Sequence, residues 1–431
     1  MQDKKQLVEI FRNSGGFGRL FDLYRKKFES YGAFGTVQMR PSGEEEKALR
    51  GFLGVRYKGP RFPAADFERA AEEAGYSVSM LELLELYYGR QLSTKREEAE
   101  QLARERESLL SMWKGQFSAP LPQTVLEGLV LEKESCRPLF TTFHNQISTF
   151  TKCFPTVLQV LMNAPYSPVM RLPMLGSKFL KNPHAFDHDT DLWRLLLDSL
   201  IALERDKGRD MLPRSEMNAE EIAALFLDYG LVKNDLNNKV TVLGVLAEFK
   251  DGPCRKLNGA IAAGSYLDLS LRDIGKYLSA RPYKGDRVYI IENPVVFSSI
   301  LDEWEGKEDI PVVVCTYGQP RLSALRLFDL MVKTNPRLSL WYSGDFDPEG
   351  IMMLQRLMNR YKGGVTPWRY AVTDYIHSKP SVPITEERRI RQLDVVSSSK
   401  LRPLAEELKD CRLAGYQEGI QDLLLRDLSS M

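Results

Sequence analysis

Three short apolar runs near residue 300 are the clearest structural signal along the chain. They span residues 288–291, 311–316 and 338–342, are rich in β-branched or aromatic side chains, and are bounded by Gly or Pro. Runs of this length and composition predict buried parallel strands. The intervening segments, 294–304 and 320–333, begin with Pro, and the second spaces its apolar residues as a helix does. This alternation predicts an α/β domain with a parallel sheet and right-handed crossovers.

The same pattern continues beyond the third run. A helix is predicted after Asp347, with Gly363 positioned to end it, and a further strand is predicted at about residues 366–373.

Acidic residues follow the first and third predicted strands. Glu292 comes directly after the first strand, and Asp345 and Asp347 follow the third. The carboxyl ends of parallel strands meet at one edge of a sheet, and side chains two residues apart in extended backbone leave the same face. Three carboxylates within about 4 Å would repel by roughly 4 kcal/mol per pair at an effective dielectric constant near 20. The cluster therefore predicts a hard divalent ion, Mg²⁺ or Mn²⁺.

A purely structural interpretation of these acids is also open. Asp347 before Pro348 is an ordinary helix N-cap, and Glu292-Asn293-Pro294 is an ordinary strand-to-helix turn.

Along the chain, a Glu at the end of one predicted strand is followed by a second strand and then by Asp-x-Asp at the end of a third. This order is similar to that of a Toprim domain, the metal-binding module of topoisomerases, primases and some nucleases. A more specific likeness is carried by seven segments, at residues 182–187, 268–272, 291–295, 314–320, 344–347, 367–369 and 374–375. These segments resemble those of JetD, the nuclease component of Wadjet-type bacterial plasmid-defence systems, whose C-terminal Toprim domain is similar to that of topoisomerase VI. Members of that family often carry His before the Gly-Asp, where this chain has Ser343.

This resemblance implies a DNA endonuclease that hydrolyses circular plasmid DNA. Glu292, Asp345 and Asp347 would be its catalytic and metal-binding residues, with Mg²⁺ or Mn²⁺ as cofactor and water as nucleophile. Its implied partners are double-stranded DNA, an SMC-like ATPase, a kleisin, a winged-helix (kite) protein and a second copy of the chain. The sequence has no Walker-type phosphate loop, so an ATP-driven step would reside in another chain.

The length of 431 residues suggests two or three domains. Residues 1–118 are predicted to form a basic helical arm. Its first 62 residues contain thirteen Lys or Arg and seven Asp or Glu, so this part carries an excess of positive charge. Its short helices and basic link could form a winged-helix DNA module or a small protein-contact domain. Residues 119–275 are predicted to be a mainly helical, CAP-like middle region, with helices at 192–203, 219–229 and 240–249. Residues 276–431 would form the Toprim-like domain.

Composition excludes several classes of protein. A hydrophobic content of 43% with 27% charged residues is ordinary for a globular protein, and the net charge of +1 does not indicate a uniformly basic surface. The five scattered cysteines make a disulfide framework or zinc site an unfavoured interpretation. No run reaches the length of a membrane span and no apolar signal region begins the chain, so a cytoplasmic protein is expected.

One other group of metal-ligand residue types occurs in the middle region. It could form a second metal site, but capping by Thr190 of the helix that follows is the favoured interpretation. The group comprises His184, Asp187, His188, Asp189 and Asp191.

Two other functions remain open. A Rossmann-like sheet with Asp-x-Asp could process nucleotides, although a Gly-rich loop is missing after the first strand. A Toprim-like domain could also dock DNA without cutting it, although retention of all three acids argues against that interpretation.

Overall fold

The computed structural model describes residues 4–430, and within that range no helix has both the length and the apolar character needed to cross a membrane. The chain divides into two compact units, Met1–Ser118 and Ala119–Met431. Each unit contains a large hydrophobic cluster of its own, as expected of domains that can fold independently.

The first unit packs helices around a core rich in phenylalanine. A capping box begins the helix Lys95–Gln116: the Thr94 hydroxyl accepts a hydrogen bond from Glu97 N at 3.1 Å, and Thr94 N donates to the Glu97 carboxylate at 2.8 Å. Thr36–Gln38 pairs with Arg61–Pro63 as a two-stranded antiparallel sheet. The winged-helix interpretation stays a prediction. The helices are Lys4–Asn13, Gly18–Tyr31, Gly43–Leu53, Ala64–Glu73, Met80–Tyr88 and Lys95–Gln116.

The second unit begins with a helical region built around the helix Asp191–Asp206. Eleven of the twelve residues from Trp193 to Glu204 in this helix are buried. The Thr190 hydroxyl accepts a hydrogen bond from Trp193 N at 3.2 Å, which confirms the predicted helix cap. The other helices of this region are Pro120–Val130, Arg137–Asn145, Ile147–Leu161, Leu172–Leu180 and Ala219–Asp228.

The helix predicted at 240–249 is wrong, because this segment forms the strands Lys239–Leu243 and Val245–Phe249. Four consecutive residues of the first of these, 240–243, are buried. A run of this kind cannot be assigned to helix or strand from periodicity alone. Gly244, with φ near +72°, separates the two strands.

A six-stranded sheet forms the core of the second unit, and its strands are labelled β1 to β6 along the chain. In space their order is β6-β5-β3-β4-β1-β2. Strands β3 to β6 run parallel to one another, whereas β1 and β2 are antiparallel to their neighbours, so the sheet is mixed and not parallel throughout. The strands are β1 Lys239–Leu243, β2 Leu267–Ser270, β3 Arg287–Ile291, β4 Val313–Cys315, β5 Ser339–Ser343 and β6 Val365–Pro367.

This sheet extends across the domain boundary expected between residues 275 and 276, because β1 and β2 precede that point and pair with strands that follow it. The strand predicted at 366–373 is too long. It ends at Pro367, Arg369 has a left-handed φ of 53°, and a helix follows at Val372–His377.

Helices connect the parallel strands as predicted. They are Pro294–Trp304 after β3, Leu322–Thr334 after β4 and Pro348–Arg360 after β5. The second begins two residues later than the sequence predicts, with Arg321 in the cap position.

The C-terminal part of the chain returns to the carboxyl edge of the sheet. Phe346 N donates to Gly415 O at 2.9 Å and Gly415 N donates to Phe346 O at 3.0 Å, which ties the segment after β5 to the segment near residue 415. The elements of this part are the helices Glu387–Arg391, Arg402–Cys411 and Gln421–Ser429, and the paired strands Val382–Pro383 and Leu413–Ala414.

Candidate metal centre

Glu292 and Asp345 lie together at the carboxyl edge of the sheet. Strands β3 and β5 are direct parallel neighbours, with Ile291 opposite Ser343. Glu292 follows β3 immediately, and its Oε2 atom lies 3.4 Å from Asp345 N, where it accepts a long hydrogen bond. The Glu292 carboxylate is therefore directed toward the Asp345 backbone.

Two buried tyrosines hold these acids in place. The Tyr342 hydroxyl donates to Glu292 Oε2 at 3.0 Å, and the Tyr370 hydroxyl donates to the Asp345 carbonyl oxygen. Burial, together with the neighbouring Glu292 charge, raises the pKa of both tyrosines well above the usual value. Both hydroxyls consequently remain protonated donors.

Neither carboxylate forms an ion pair with a Lys or Arg side chain of residues 4–430. Burial, with the charge of Asp345 as the next cause, raises the pKa of Glu292 to about 7. Burial and the charge of Asp347 raise the pKa of Asp345 to about 6, although the hydrogen bond from Gln417 N lowers this pKa. A bound cation would reverse both effects because it favours the ionised forms.

Asp347 serves as the N-cap of the helix Pro348–Arg360. Its Oδ1 atom accepts a hydrogen bond from Gly350 N at 2.7 Å, and its Oδ2 atom accepts one from Arg389 Nη2 at 2.9 Å. The capping role indicated by the sequence is thus present. Burial raises the pKa of Asp347, and the Arg389 charge opposes that effect.

The donor set fits a hard divalent ion. Within residues 4–430 no three His, Cys, Asp or Glu side chains are grouped as a ready metal cage. Mg²⁺, however, commonly keeps several waters and binds through one or two carboxylates together with substrate phosphate. Gly344 leaves room for this arrangement, because a Cβ at that position would overlap the Glu292 carboxylate. Glu292 and Asp345 are the residues that would hold the ion, with Asp347 beside them.

The amino ends of two helices also face this edge of the sheet. Pro294–Trp304 begins two residues after Glu292, and Pro348–Arg360 begins three residues after Asp345. Helix amino ends carry partial positive charge and free N–H groups, which favour phosphate. The arrangement can therefore bind both a cation and an anionic phosphate.

Sequence reasoning missed Gln417, which links the two acidic loops. Its backbone N–H donates to Asp345 Oδ1 at 2.9 Å, and its side-chain Oε1 accepts from Asn293 N at 3.0 Å. Gln417 is fully buried, and its Nε2 atom has no hydrogen-bond partner within residues 4–430. Asn293 and Gln417 are 124 residues apart, so no local sequence pattern could have indicated the contact.

Other candidate residues from the sequence are not part of this cluster. His184 Nδ1 lies 2.8 Å from Asp187 Oδ2 in an exposed pair, and His188 lies 2.9 Å from Asp189. Ser343 is fully buried at the end of β5, and its hydroxyl finds no hydrogen-bond partner in the described part of the chain.

Two family models match successive parts of the chain, and the boundary between them lies inside the second unit. Residues 33–247 match the model of a family described as "Protein of unknown function N-terminus (DUF3323)", and residues 267–428 match "Protein of unknown function C-terminus (DUF2399)". No curated protein matches the chain. Over most of its length, the chain is therefore similar to proteins that carry the DUF3323 region followed by the DUF2399 region.

Proposed function

We propose that the protein is a divalent-metal-dependent DNA endonuclease of the Wadjet type, with a Toprim-like catalytic region in its second unit. The observation that carries this proposal is the approach of the Glu292 carboxylate to Asp345 N across the parallel strands β3 and β5. The Toprim assignment is supported by the order of a strand-end Glu and a strand-end Asp-x-Asp on neighbouring parallel strands. Both matched family models are those of Wadjet JetD-type proteins.

Each residue of the site has a defined task in this proposal. Glu292 and Asp345 would hold Mg²⁺ or Mn²⁺, which when bound supplies a Lewis acid for the scissile phosphate and for the leaving oxygen. Tyr342 orients the Glu292 carboxylate, and Gln417 holds Asp345. Asp347 places the amino end of its helix at the phosphate.

Glu292 is also suited to proton transfer. Its carboxyl group would face the scissile phosphate and act as a general acid or base where it does not hold the ion. We propose that water is the attacking nucleophile and that no covalent link to the protein forms. The finding that DNA remains attached to the protein after denaturation of a cleavage reaction would contradict this step.

The proposed partners follow from the same family assignment. They are double-stranded plasmid DNA, an SMC-like ATPase, a kleisin and a winged-helix (kite) protein. Two active sites are needed to cut both strands of a duplex, so a homodimer is proposed. Sedimentation as a monomer both with and without DNA would contradict the dimer.

The test is cleavage of circular plasmid by the wild-type chain together with its partner complex, with Mg²⁺ or Mn²⁺ and with EDTA. Asp345→Asn keeps the size of the side chain and removes its charge. Asp302→Asn, at an exposed position on the helix after Glu292, is the matched control. We expect metal-dependent cleavage by the wild type and by Asp302→Asn, and a loss of at least about 100-fold for Asp345→Asn. Equal cleavage by Asp345→Asn, or cleavage that resists EDTA, would contradict the proposal.

A further inference from the structure

Arg389 forms a two-sided ion pair with the acids that follow β5. Its Nη2 atom donates to Asp347 Oδ2 at 2.9 Å and to Glu349 Oε2 at 2.5 Å. Its Nε atom donates to both oxygens of Glu349 at 3.0 Å. The guanidinium therefore bridges two carboxylates that belong to the same helix end.

The acids of the site consequently form two sets with different surroundings. Glu292 and Asp345 accept hydrogen bonds from a tyrosine hydroxyl and from backbone N–H groups, and neither pairs with a Lys or Arg of residues 4–430. Asp347 and Glu349 share Arg389. The first set thus has no cationic side chain as a partner in the described part of the chain, whereas Arg389 is the cationic partner of the second set.

The segment that carries Arg389 is anchored to the helix that carries Asp347 and Glu349. Gln392 Nε2 donates to Glu349 Oε1 at 3.1 Å. Further along the same helix, Gln355 Oε1 accepts from Ser397 N at 2.7 Å. Ile390, next to Arg389, is buried in the core. Arg389 is therefore held against these acids by packing as well as by charge.

Both oxygens of Asp347 already have partners in this arrangement. Oδ1 caps the helix through Gly350 N, and Oδ2 binds Arg389. A metal ion bridging Asp347 and Glu349 would have to displace the guanidinium. An ion at Glu292 and Asp345 would displace no positively charged side chain.

We propose that Arg389 takes the place of a second metal ion, so that the DNA-free protein binds one divalent ion, at Glu292 and Asp345. This inference rests on the proposed metal-dependent function. In two-metal phosphodiester enzymes the second cation neutralises charge on the phosphate and the leaving oxygen. A guanidinium can do the same as a fixed charge with several N–H donors, although it cannot activate water. Arg389 Nη1 makes no hydrogen bond within residues 4–430 and remains available to a phosphate oxygen.

The experiment is a count of bound Mn²⁺ by native mass spectrometry and equilibrium dialysis on the full-length chain without DNA. The variants are Arg389→Met, which removes the charge, and Arg389→Lys, which retains it. Arg388→Met is the matched control because Arg388 is an exposed neighbour on the same helix. We expect about one ion per chain for the wild type, Arg389→Lys and Arg388→Met, and about two for Arg389→Met, whose freed carboxylates would bind a second ion.

The possible failures can be told apart. Two ions in the wild type, or one ion in a folded Arg389→Met variant, would overturn the role of Arg389 and leave the metal-dependent function intact. A wild type that binds no Mn²⁺ would contradict the proposed function itself. If Arg389→Met does not fold, a crystal of the wild type soaked in Mn²⁺ decides the question. One anomalous peak beside Glu292 with the Arg389–Asp347 contact intact is expected, and a peak that displaces Arg389 overturns the inference.

Discussion

Glu292 is the residue at which folding and proposed function oppose each other most directly. Its carboxyl group is half-buried, approaches the Asp345 backbone and is held by the Tyr342 hydroxyl. Burial makes the ionised form unfavourable, whereas metal binding requires that form. The same side chain should therefore weaken the metal-free fold at neutral pH.

Glu292→Gln should stabilise the metal-free protein at pH 8. The folded pKa of about 7 lies above the ordinary 4.5, so the stabilising contribution of protonated Glu292 is complete below about pH 4.5 and is lost as pH rises through 7. At pH 8 we expect Glu292→Gln to raise the free energy of unfolding by about 1–3 kcal/mol, and near pH 4.5 the difference should vanish. Denaturant unfolding in EDTA at both pH values measures this.

Glu308→Gln is the control for that measurement because Glu308 is exposed on the surface of the same unit. Its effect should stay within about 0.5 kcal/mol at both pH values. A Glu292→Gln variant that is less stable than the wild type at pH 8 would show that the carboxylate is not destabilised by its surroundings.

Gly344→Ala should damage the proposed metal site more than it damages the fold. The added Cβ would overlap the Glu292 carboxylate and crowd the Tyr342 hydroxyl, so Glu292 would have to move. We expect Mn²⁺ affinity to fall by at least about tenfold, as for the loss of a group that supports a metal ligand. Gly259→Ala, where nothing lies within 4 Å of the new Cβ, should leave the affinity unchanged. Titration calorimetry compares the two variants, and equal affinities would contradict the steric effect.

At the scale of elements, the C-terminal helix Gln421–Ser429 stabilises the end of β6. Asp427 accepts hydrogen bonds from Trp368 Nε1 and from Arg369 Nε, both at 2.8 Å. Arg369 has a left-handed backbone conformation, which a non-glycine residue adopts at some cost. The segment that leaves the sheet is thus held by a helix about 60 residues later in the chain.

Asp427→Asn should destabilise the second unit at neutral pH by about 1–3 kcal/mol, because it replaces charge-assisted hydrogen bonds with weaker ones. The Arg369 and Trp368 hydrogen bonds lower the pKa of Asp427 in spite of burial. A lowered folded pKa gives stability that is present above the ordinary value of 3.8 and is lost as pH falls through the folded pKa. The difference between variant and wild type should therefore shrink in strong acid. Thermal unfolding from pH 7 to pH 3 measures it, and a constant difference would contradict the assignment.

Elements with strong local signals were predicted well, and the failures have a common cause. The strands β3 to β5 and the capped helices could be recognised because turn residues and apolar spacing mark them within a few residues. Residues 240–249 were assigned to a helix because a short apolar run does not reveal its hydrogen-bond partners. Strand β1 pairs with β4, about 70 residues later, and local spacing contains no information about that pairing.

At the scale of the whole molecule, the sheet joins strands from both sides of residue 275 within the compact unit Ala119–Met431. Strand β1 lies between β4 and β2, and its Val240 and Val242 belong to the same core as Val313 and Val314. Removal of β1 and β2 would expose the edge of β4 and this part of the core. Exposed hydrophobic strand edges promote aggregation.

A fragment of residues 119–431 should therefore fold cooperatively and bind Mn²⁺ as the full chain does. A fragment of residues 276–431, cut at the boundary suggested by the sequence, should be insoluble or should lack a cooperative unfolding transition. Circular dichroism melts and Mn²⁺ titration of both fragments measure this. A soluble, cooperatively folded 276–431 fragment would contradict the view that β1 and β2 are integral to the sheet.

Local patterns along the chain were sufficient to predict an α/β region with Glu292, Asp345 and Asp347 at the carboxyl ends of parallel strands, because strand termini and helix caps are encoded by adjacent residues. They could not predict which acids would have a counter-charge. Arg389 and Gln417 reach the site from segments 42 and 72 residues beyond Asp347 and Asp345. Only the packing of the chain brings them there, because hydrogen bonds and charges act over a few ångströms in space whatever the separation in sequence. The folded chain thereby leaves Glu292 and Asp345 without a Lys or Arg partner among residues 4–430, and it pairs Asp347 and Glu349 with Arg389.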